Sequence, residues 1–192
     1  SSCSTETFPK TVREEIPPTL APALDPILDQ IERVSDQIQT YEREIERLCE
    51  EVYPETELLR QVHGVGPITA LCYVLTIEDP TRFEKSRTVG AYLGLVPKRT
   101  QSGDTEQREG ITKAGDETLR RLLVEAAQYI LGPFGEDCDL RRWGLRLAEE
   151  GGEHGRKRAA VAVARKLAVL LHRLWITGEV YEPLRNADEE AA

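Results

Sequence analysis

The residues with the clearest chemical potential lie in one polar stretch, GLVPKRTQSGDTEQREGITKAGDETLRRLLVEAA, at residues 94 to 127. Ser102 follows Lys98 and Arg99 within four residues, and Lys113 comes later in the stretch. A serine hydroxyl can attack a phosphodiester, and neighbouring cations can stabilise the charge that develops during the attack. Ser-Gly in a polar loop is also a common turn. If Ser102 is a nucleophile, the group that accepts its proton lies elsewhere.

A second basic group opens the last long predicted helix. Arg156, Lys157 and Arg158 are consecutive. Arg158, Arg165 and His172 repeat every seven residues, so they share one stripe of the helix, and Lys166 and Arg173 lie beside it. Each exposed cation near a helix N-terminus is unfavourable by about 0.3 to 1 kcal/mol, because it opposes the helix macrodipole. The cluster therefore predicts an anionic partner such as a phosphate backbone, and a solvated helix face is the alternative.

A third feature is the short sequence HGVGP, which lies between two helical patterns and contains Gly64 and Gly66. Two glycines allow close backbone approach, and a proline suits the first turn of the following helix. The pattern is typical of a helix-hairpin-helix that grips a DNA phosphate through exposed amides. A tight turn between two helices is the other interpretation.

Composition narrows the class of protein. The chain has 192 residues, 40% of them hydrophobic and 31% charged, which is typical of a folded domain without membrane spans. The four cysteines and three histidines show no disulfide framework and no metal-binding motif, so we expect a reducing, cytoplasmic setting and no metal site in this chain. The net charge is -9, but residues 11 to 58 carry thirteen acidic residues against four arginines, whereas residues 156 to 173 carry six basic residues and no acidic one. The C-terminal half can therefore still present a basic face.

The elements that position these residues are predicted to be helices, because no segment alternates with the period of a strand. Residues 1–18 are interpreted as a flexible linker or arm, and residues 19–53 as a coiled-coil helix. Apolar residues in that helix follow a continuous heptad spacing, which favours a second helix as partner over a long amphipathic helix packed on its own domain. They are Leu24, Ile27, Ile31, Val34, Ile38, Tyr41, Ile45 and Leu48.

The remaining residues, 54–184, are interpreted as one helical domain followed by a disordered tail at 185–192. Within the domain, the predicted parts are a helix-hairpin-helix at about 56–77, a serine loop at 96–112 and a helical bundle at 116–178. Asp116 is expected to cap the helix that follows the loop. Arg120 and Arg121 are expected to lie off the buried face of that helix. The predicted fold class is all-α.

The motifs GVGPITA, TRF, GAYLGLVPKRTQSG, ITKAGDETLRRLLVEAA and AVAVARKLAVLLHRLWITGEVYEPL occur in this order. Together they resemble the C-terminal half of the DEDD-type insertion-sequence transposases, the insertion-sequence one-ten group of bridge-RNA-guided recombinases. The resemblance covers about residues 57 to 184, and the heptad helix is similar to the coiled coil that precedes this region in the family. One departure is Asp116 with Glu117, which weakens the positive field after ITKAG.

The resemblance implies that Ser102 is the nucleophile that becomes covalently joined to DNA, with DNA, a guide RNA and further copies of the protein as partners. It also implies a ribonuclease-H-like domain that binds magnesium, which residues 1 to 56 do not supply. We therefore expect a fragment, or a truncated reading frame, without catalytic competence of its own. The residues predicted to contact DNA are Gly64, Gly66, Lys98, Arg99, Lys113, Arg120, Arg121, Arg156, Lys157, Arg158 and Arg165.

Two other functions fit parts of the sequence. One is a non-enzymatic helix-hairpin-helix module that binds DNA, in which Ser102 only forms a turn. The other is a coiled-coil interaction protein without any role in nucleic-acid binding. Salt-dependent retention of DNA is expected for the transposase and for the helix-hairpin-helix module, and it is not expected for the coiled-coil interaction protein.

Overall fold

The computed structural model describes residues 7–102 and 105–185, and for residues 99–102 and 105–109 it describes the backbone alone. The chain divides into two compact units, residues 1–48 and residues 49–192. Each unit is described by itself below.

The first unit contains helix α1 (Phe8–Glu15) and most of helix α2 (Ala21–Glu51). Residues 8–15 were expected to belong to a flexible linker, but they form α1, with a proline in the first turn where a missing N–H costs nothing. The guanidinium of Arg13 pairs with the carboxylates of Asp25 at 3.9 Å, Glu32 at 3.2 Å and Asp29. One cation on α1 thus faces three carboxylates on α2, which is the local reason for order in this segment.

The heptad residues of α2 are largely open to solvent. Ile27 is 57% exposed, Ile38 51% and Tyr41 67%. Apolar side chains at heptad spacing are stable on a helix surface mainly when a second helix covers them. The coiled coil itself stays a prediction.

The second unit is a helical bundle. Its helices are α3 (Thr56–Arg60), α4 (Pro67–Ile77), α5 (Val89–Tyr92), α6 (Glu117–Leu131), α7 (Asp139–Glu150) and α8 (Gly155–Thr177), with short 3-10 turns at Pro80–Arg82, Ser86–Thr88 and Gly152–His154. Asp116 caps α6 as predicted, because its carboxylate accepts from the Leu119 amide at 2.6 Å. The all-α class is confirmed. The helix-hairpin-helix stays a prediction, because α3 is only five residues long.

Helix α8 lies at the centre of the core, with Val163, Leu167 and Leu171 fully buried. Two buried polar side chains connect it to the surrounding elements. The Tyr73 hydroxyl on α4 donates to the Ala168 carbonyl at 2.7 Å. His172 places Nδ1 3.0 Å from the Ser86 hydroxyl and Nε2 2.9 Å from the Pro80 carbonyl, so both ring nitrogens are satisfied in the interior.

The stretch predicted as a serine loop forms a β-hairpin of two antiparallel strands, β1 (Pro97–Ser102) and β2 (Thr105–Ile111). Pro97 pairs with Ile111 at the base, and Ser102 pairs with Thr105 at the tip. The prediction that no segment forms a strand is therefore wrong here. The strands carry mostly polar residues, so they show none of the apolar alternation by which a half-buried strand is recognised.

Candidate nucleic-acid interface

The base of the hairpin is held by direct backbone contact between the segments that enter and leave it. Gly94 has φ +68°, and a Cβ at this position would lie 2.3 Å from both the backbone nitrogen and the carbonyl oxygen of Ala114. The amide of Lys113 donates to the Gly94 carbonyl at 3.1 Å, and that of Thr112 donates to the Val96 carbonyl at 2.9 Å. Only glycine allows the two chain segments to approach this closely.

Arg120 on α6 also holds the base of the hairpin. Its side chain is 9% exposed, and its Nη1 donates to the carbonyl oxygens of Ala114 at 2.8 Å and Leu93 at 3.2 Å. The prediction that Arg120 lies off the buried face of α6 is therefore wrong. Its donors are directed at the backbone of the hairpin base, so a structural role replaces the predicted contact with DNA.

A broad open groove of about 1370 Å³ lies beside the hairpin base. We call it the α7–α8 groove. Its walls come from α7, α8, the hairpin base and the segment of residues 179–185. Five apolar side chains that line the groove are called its apolar floor: Leu95, Ile111, Leu140, Val161 and Leu170.

Cations outnumber carboxylates around this groove. The cations are Arg87, Lys113, Lys157, Arg158, Arg165, Lys166, Arg173 and Arg185, and the carboxylates are Asp139, Glu179 and Glu182. Arg173 and Arg185 pair with Glu179, at 3.0 Å and 3.3 Å, so these two cations are partly neutralised at one end of the groove. The Arg158 guanidinium donates to the Gly151 carbonyl.

Apart from Arg158 and Lys166, four further cations of the groove form no ion pair with a carboxylate among the described side chains: Arg87, Lys113, Lys157 and Arg165. All four are exposed. Arg165 packs its aliphatic stem on Gly90, where a Cβ would lie 2.9 Å from the Arg165 Cγ. Uncompensated positive charge concentrated in a concave surface attracts anions and raises their local concentration. This arrangement suits a polyanion.

Lys166 has a different environment from these four. Its ammonium lies 3.7 Å from the centroid of the Trp143 ring, within the range of a cation–π contact. Burial lowers the pKa of Lys166, and the nearby Arg146 lowers it further, while Asp139 acts in the opposite direction. The indole and the ammonium therefore form one amphipathic wall of the groove.

Several predicted contact residues lie outside the groove lining. Arg156 and Arg121 are exposed, and the Arg121 Nε lies 3.8 Å from Glu125 on its own helix. Gly64 packs against α6, where a Cβ would lie 3.2 Å from the ring of Tyr129. Gly66 faces open space at the start of α4. The structure thus brings together Lys113, Lys157, Arg158 and Arg165, and it does not bring these other residues to the same surface.

Ser102 is the last residue of β1, and its side chain lies outside the described part of the structure, as does that of Arg99. Lys98 is exposed on the same strand. Ser102 lies five positions along the strand from Pro97 at the groove, a span of roughly 17 Å. The assignment of Ser102 as nucleophile stays a prediction.

Among residues 7–102 and 105–185, no group of three or more acidic, histidine or cysteine side chains is placed to hold a metal ion. No helix within the same ranges is long and apolar enough to cross a membrane.

Lys166 and Arg173, predicted to lie beside the basic stripe of α8, do line the groove, whereas His172 of that stripe is buried in the core. Lys166 and Arg173 are consecutive members of one helical stripe, so their position was available from periodicity. Sequence reasoning did not assign two other groove residues, Arg87 and Trp143, to the binding surface. Arg87 and Trp143 belong to other elements and reach the groove only through the packing of the fold.

Parts of this sequence are similar to known proteins. Residues 56–135 match the family model described as Transposase IS116/IS110/IS902 family. The chain is 32% identical to the "Transposase for insertion sequence element IS1111A" of Coxiella burnetii over 73% of this chain and 38% of that protein. It is 31% identical to the "Transposase for insertion sequence element IS1328" of Yersinia enterocolitica over 87% of this chain and 49% of that protein.

A "Probable family 20 transposase" of Pseudomonas aeruginosa is 30% identical over 80% of this chain and 46% of that protein. The chain therefore spans less than half the length of each of these curated relatives. The matched region contains the hairpin and the α6 helix that anchors it. These matches identify the chain as a member of the IS116/IS110/IS902 family of transposases.

Proposed function

We propose that this chain is the part of a transposase that binds DNA and presents the serine nucleophile for strand cleavage and rejoining. The observation that carries the proposal is the set of four cations without a carboxylate partner in the α7–α8 groove. They lie beside the base of the hairpin, whose first strand ends at Ser102. Membership of a transposase family supplies the reaction class. The groove supplies the complementary charge that a nucleic-acid partner requires.

In the proposed reaction, the Ser102 hydroxyl oxygen attacks the phosphorus of a phosphodiester. A serine–phosphate bond forms as the bond from phosphorus to the sugar oxygen breaks, and the serine proton is transferred so that the leaving oxygen becomes a hydroxyl. Attack by the hydroxyl of another strand then reverses the step and rejoins DNA. Cations near the phosphate stabilise the charge that builds on its oxygens. The exposed Lys98 on β1 is one candidate for that role.

The group that activates Ser102 is proposed to come from a separate acidic, magnesium-binding domain, as the resemblance to the family implies. The described residues of this chain offer no acidic cluster that fits a magnesium ion. The chain alone is expected to bind DNA without cutting it.

Two partner assignments belong to the same proposal. The exposed heptad residues of α2 support self-association through a coiled coil. A guide RNA is the second proposed partner, and its phosphate backbone would require the same kind of basic surface as DNA. Full-length relatives in solution are the material in which both assignments can be tested.

The serine assignment is tested in the complete transposase. Ser102→Ala is expected to abolish strand exchange while DNA binding is retained. The matched control is Thr118→Ala, which deletes an exposed hydroxyl group on α6 and should leave strand exchange intact. Covalent protein–DNA product should be detectable in the parent protein and absent from Ser102→Ala. Strand exchange at the parental rate by Ser102→Ala would contradict the assignment.

The DNA-binding assignment is tested with this chain alone by measuring duplex affinity against salt concentration. Lys157→Gln and Arg165→Gln are each expected to reduce the slope of log K against log salt by about 0.9, the value for one lost phosphate contact. Arg43→Gln, an exposed arginine of α2, is the control and should leave the slope unchanged. A chain that does not retain duplex DNA even at low salt would contradict this part of the proposal.

A further inference from the structure

We propose that the α7–α8 groove binds unpaired nucleotides of a DNA strand, and that it does so in preference to duplex DNA. This inference rests on the proposed function and goes further, because it names the form of DNA that the groove accepts. The site consists of an apolar floor, a rim of unpaired cations and an indole on one wall.

The apolar floor is the first argument. Duplex DNA presents phosphates to a protein and hides the faces of its bases, so a surface that binds only duplex phosphates needs cations and no apolar floor. Surfaces that bind single strands combine a positive groove for the backbone with apolar and aromatic side chains that contact the bases. Leu140, Val161 and Leu170 belong to the apolar floor, and the segment of residues 179–185 also lines the groove. Val180 on that segment is 79% exposed.

Size and charge form the second argument. The groove volume of about 1370 Å³ exceeds the roughly 300 to 1,000 Å³ that is typical of a site for one small molecule. Arg87, Lys113 and Lys157 have no carboxylate partner among the described residues, and Arg165 adds a fourth such cation. A flexible polyanion with apolar faces matches this combination of volume, charge and floor. An acidic peptide would match the charge but lacks flat apolar groups at a regular spacing.

The position of the groove favours DNA over RNA as the occupant. Pro97, Gly110 and Ile111 of the hairpin base line the groove, and β1 runs from Pro97 to Ser102. The roughly 17 Å between these two points is a distance that a few unpaired nucleotides can span. In the proposed reaction the strand that reaches Ser102 is DNA, and strand exchange requires it to leave its complement. The groove is therefore placed to hold the unpaired part of the strand that is cut.

Trp143 provides a direct reporter of occupancy, because the chain contains only two tryptophans. Trp175→Phe leaves Trp143 as the single emitter and keeps an aromatic ring next to Tyr73. An oligothymidylate strand and a duplex of equal length are titrated into this variant at one salt concentration. We expect the single strand to change the Trp143 emission and to bind at least about tenfold more tightly than the duplex, because its bases can contact the apolar and aromatic side chains of the groove.

A variant in the groove distinguishes the contribution of base contacts to binding from the contribution of charge. Val180→Ser removes an exposed apolar side chain of the groove without disturbing the core, and it should weaken single-strand binding about three- to tenfold. Duplex affinity should not change. Phe134→Ser is the matched control, because Phe134 is also 79% exposed and lies outside the groove lining. This control should leave both affinities unchanged.

Each outcome of the titration has a distinct meaning. Equal or tighter binding of the duplex, without a change in Trp143 emission, would overturn the groove inference and leave the proposed DNA-binding function intact. Failure to bind either form would overturn both. Tighter binding of oligouridylate than of oligothymidylate would show that RNA is the occupant and would overturn the assignment to DNA.

Discussion

The guanidinium of Arg120 donates to the carbonyl oxygen of Ala114 at 2.8 Å, from a side chain that is 9% exposed. This contact connects the first turns of α6 to the last residues before it, where the hairpin ends. Ala114 is in turn in backbone contact with Gly94 at the other side of the hairpin base. The hairpin that carries Ser102 therefore leaves the bundle from a rigid base, which is the arrangement that a positioned nucleophile requires.

Replacing Arg120 tests how far the base depends on this contact. Arg120→Met keeps the aliphatic volume and removes the donors to Ala114 and Leu93, so we expect a loss of about 1 to 3 kcal/mol in the free energy of unfolding. Arg121→Met, on the neighbouring exposed position, should change it by less than about 0.5 kcal/mol. Urea unfolding followed by circular dichroism gives both values. Equal stability of the two variants would contradict the role given to Arg120.

The glycine at position 94 provides a second test of the hairpin base. Gly94→Ala places a Cβ in contact with the Ala114 backbone in addition to the strain of a positive φ, whereas Gly178→Ala has a similar φ of +65° and open space around it. We expect Gly178→Ala to cost about 1 kcal/mol from strain alone. Gly94→Ala should cost about 2 kcal/mol more, because the overlap forces the backbone apart. Similar melting temperatures for the two variants would show that the close approach is not rigid.

Stability at alkaline pH is expected to depend on Tyr73. Burial raises the pKa of the Tyr73 hydroxyl above its ordinary value of about 10. Because the folded pKa is the higher one, this stabilising contribution is complete below pH 10 and declines above it, by up to about 1.4 kcal/mol per pH unit. Tyr73→Phe should remove that share of the slope of unfolding free energy against pH.

Other groups keep part of this alkaline slope. Burial also raises the pKa of Tyr181, and its neighbour Cys138 acts in the same direction. The matched control is Tyr41→Phe, which alters a residue that is 67% exposed and should leave the slope unchanged. An unchanged slope in Tyr73→Phe would mean that the Tyr73 hydroxyl ionises as readily in the folded chain as in the unfolded one.

Self-association is expected to depend on the heptad seam of α2. Ile38→Glu places a charge at a seam residue that is 51% exposed in the single chain, and burying that charge between two helices is strongly unfavourable. Sedimentation should show the parent chain as a dimer or larger and Ile38→Glu as a monomer. Gln37→Glu adds the same charge one residue off the seam and should keep the parental mass. A monomeric parent chain at micromolar concentration would contradict the coiled-coil prediction.

Much of the helical content was predictable because helices depend on local pattern. The positions of α6 and α8 follow from apolar residues at helical spacing, and the Asp116 cap follows from residue type at a helix start. Residues 8–15 were misjudged because the stabilising carboxylates for Arg13 lie on another helix. The hairpin was missed because its strands pair through the backbone and carry few apolar side chains.

The sequence by itself determined the family motifs, the heptad seam and the amphipathic helices, since each of these is a matter of residue type and spacing along one segment. Only the tertiary structure decided that Arg120 faces the interior, where its donors meet carbonyls from two other segments. It also decided that Arg87 and Trp143 share one groove with the cations of α8. Such groupings depend on how segments that are far apart in the sequence pack together, and the periodicity within one segment carries no information about that packing.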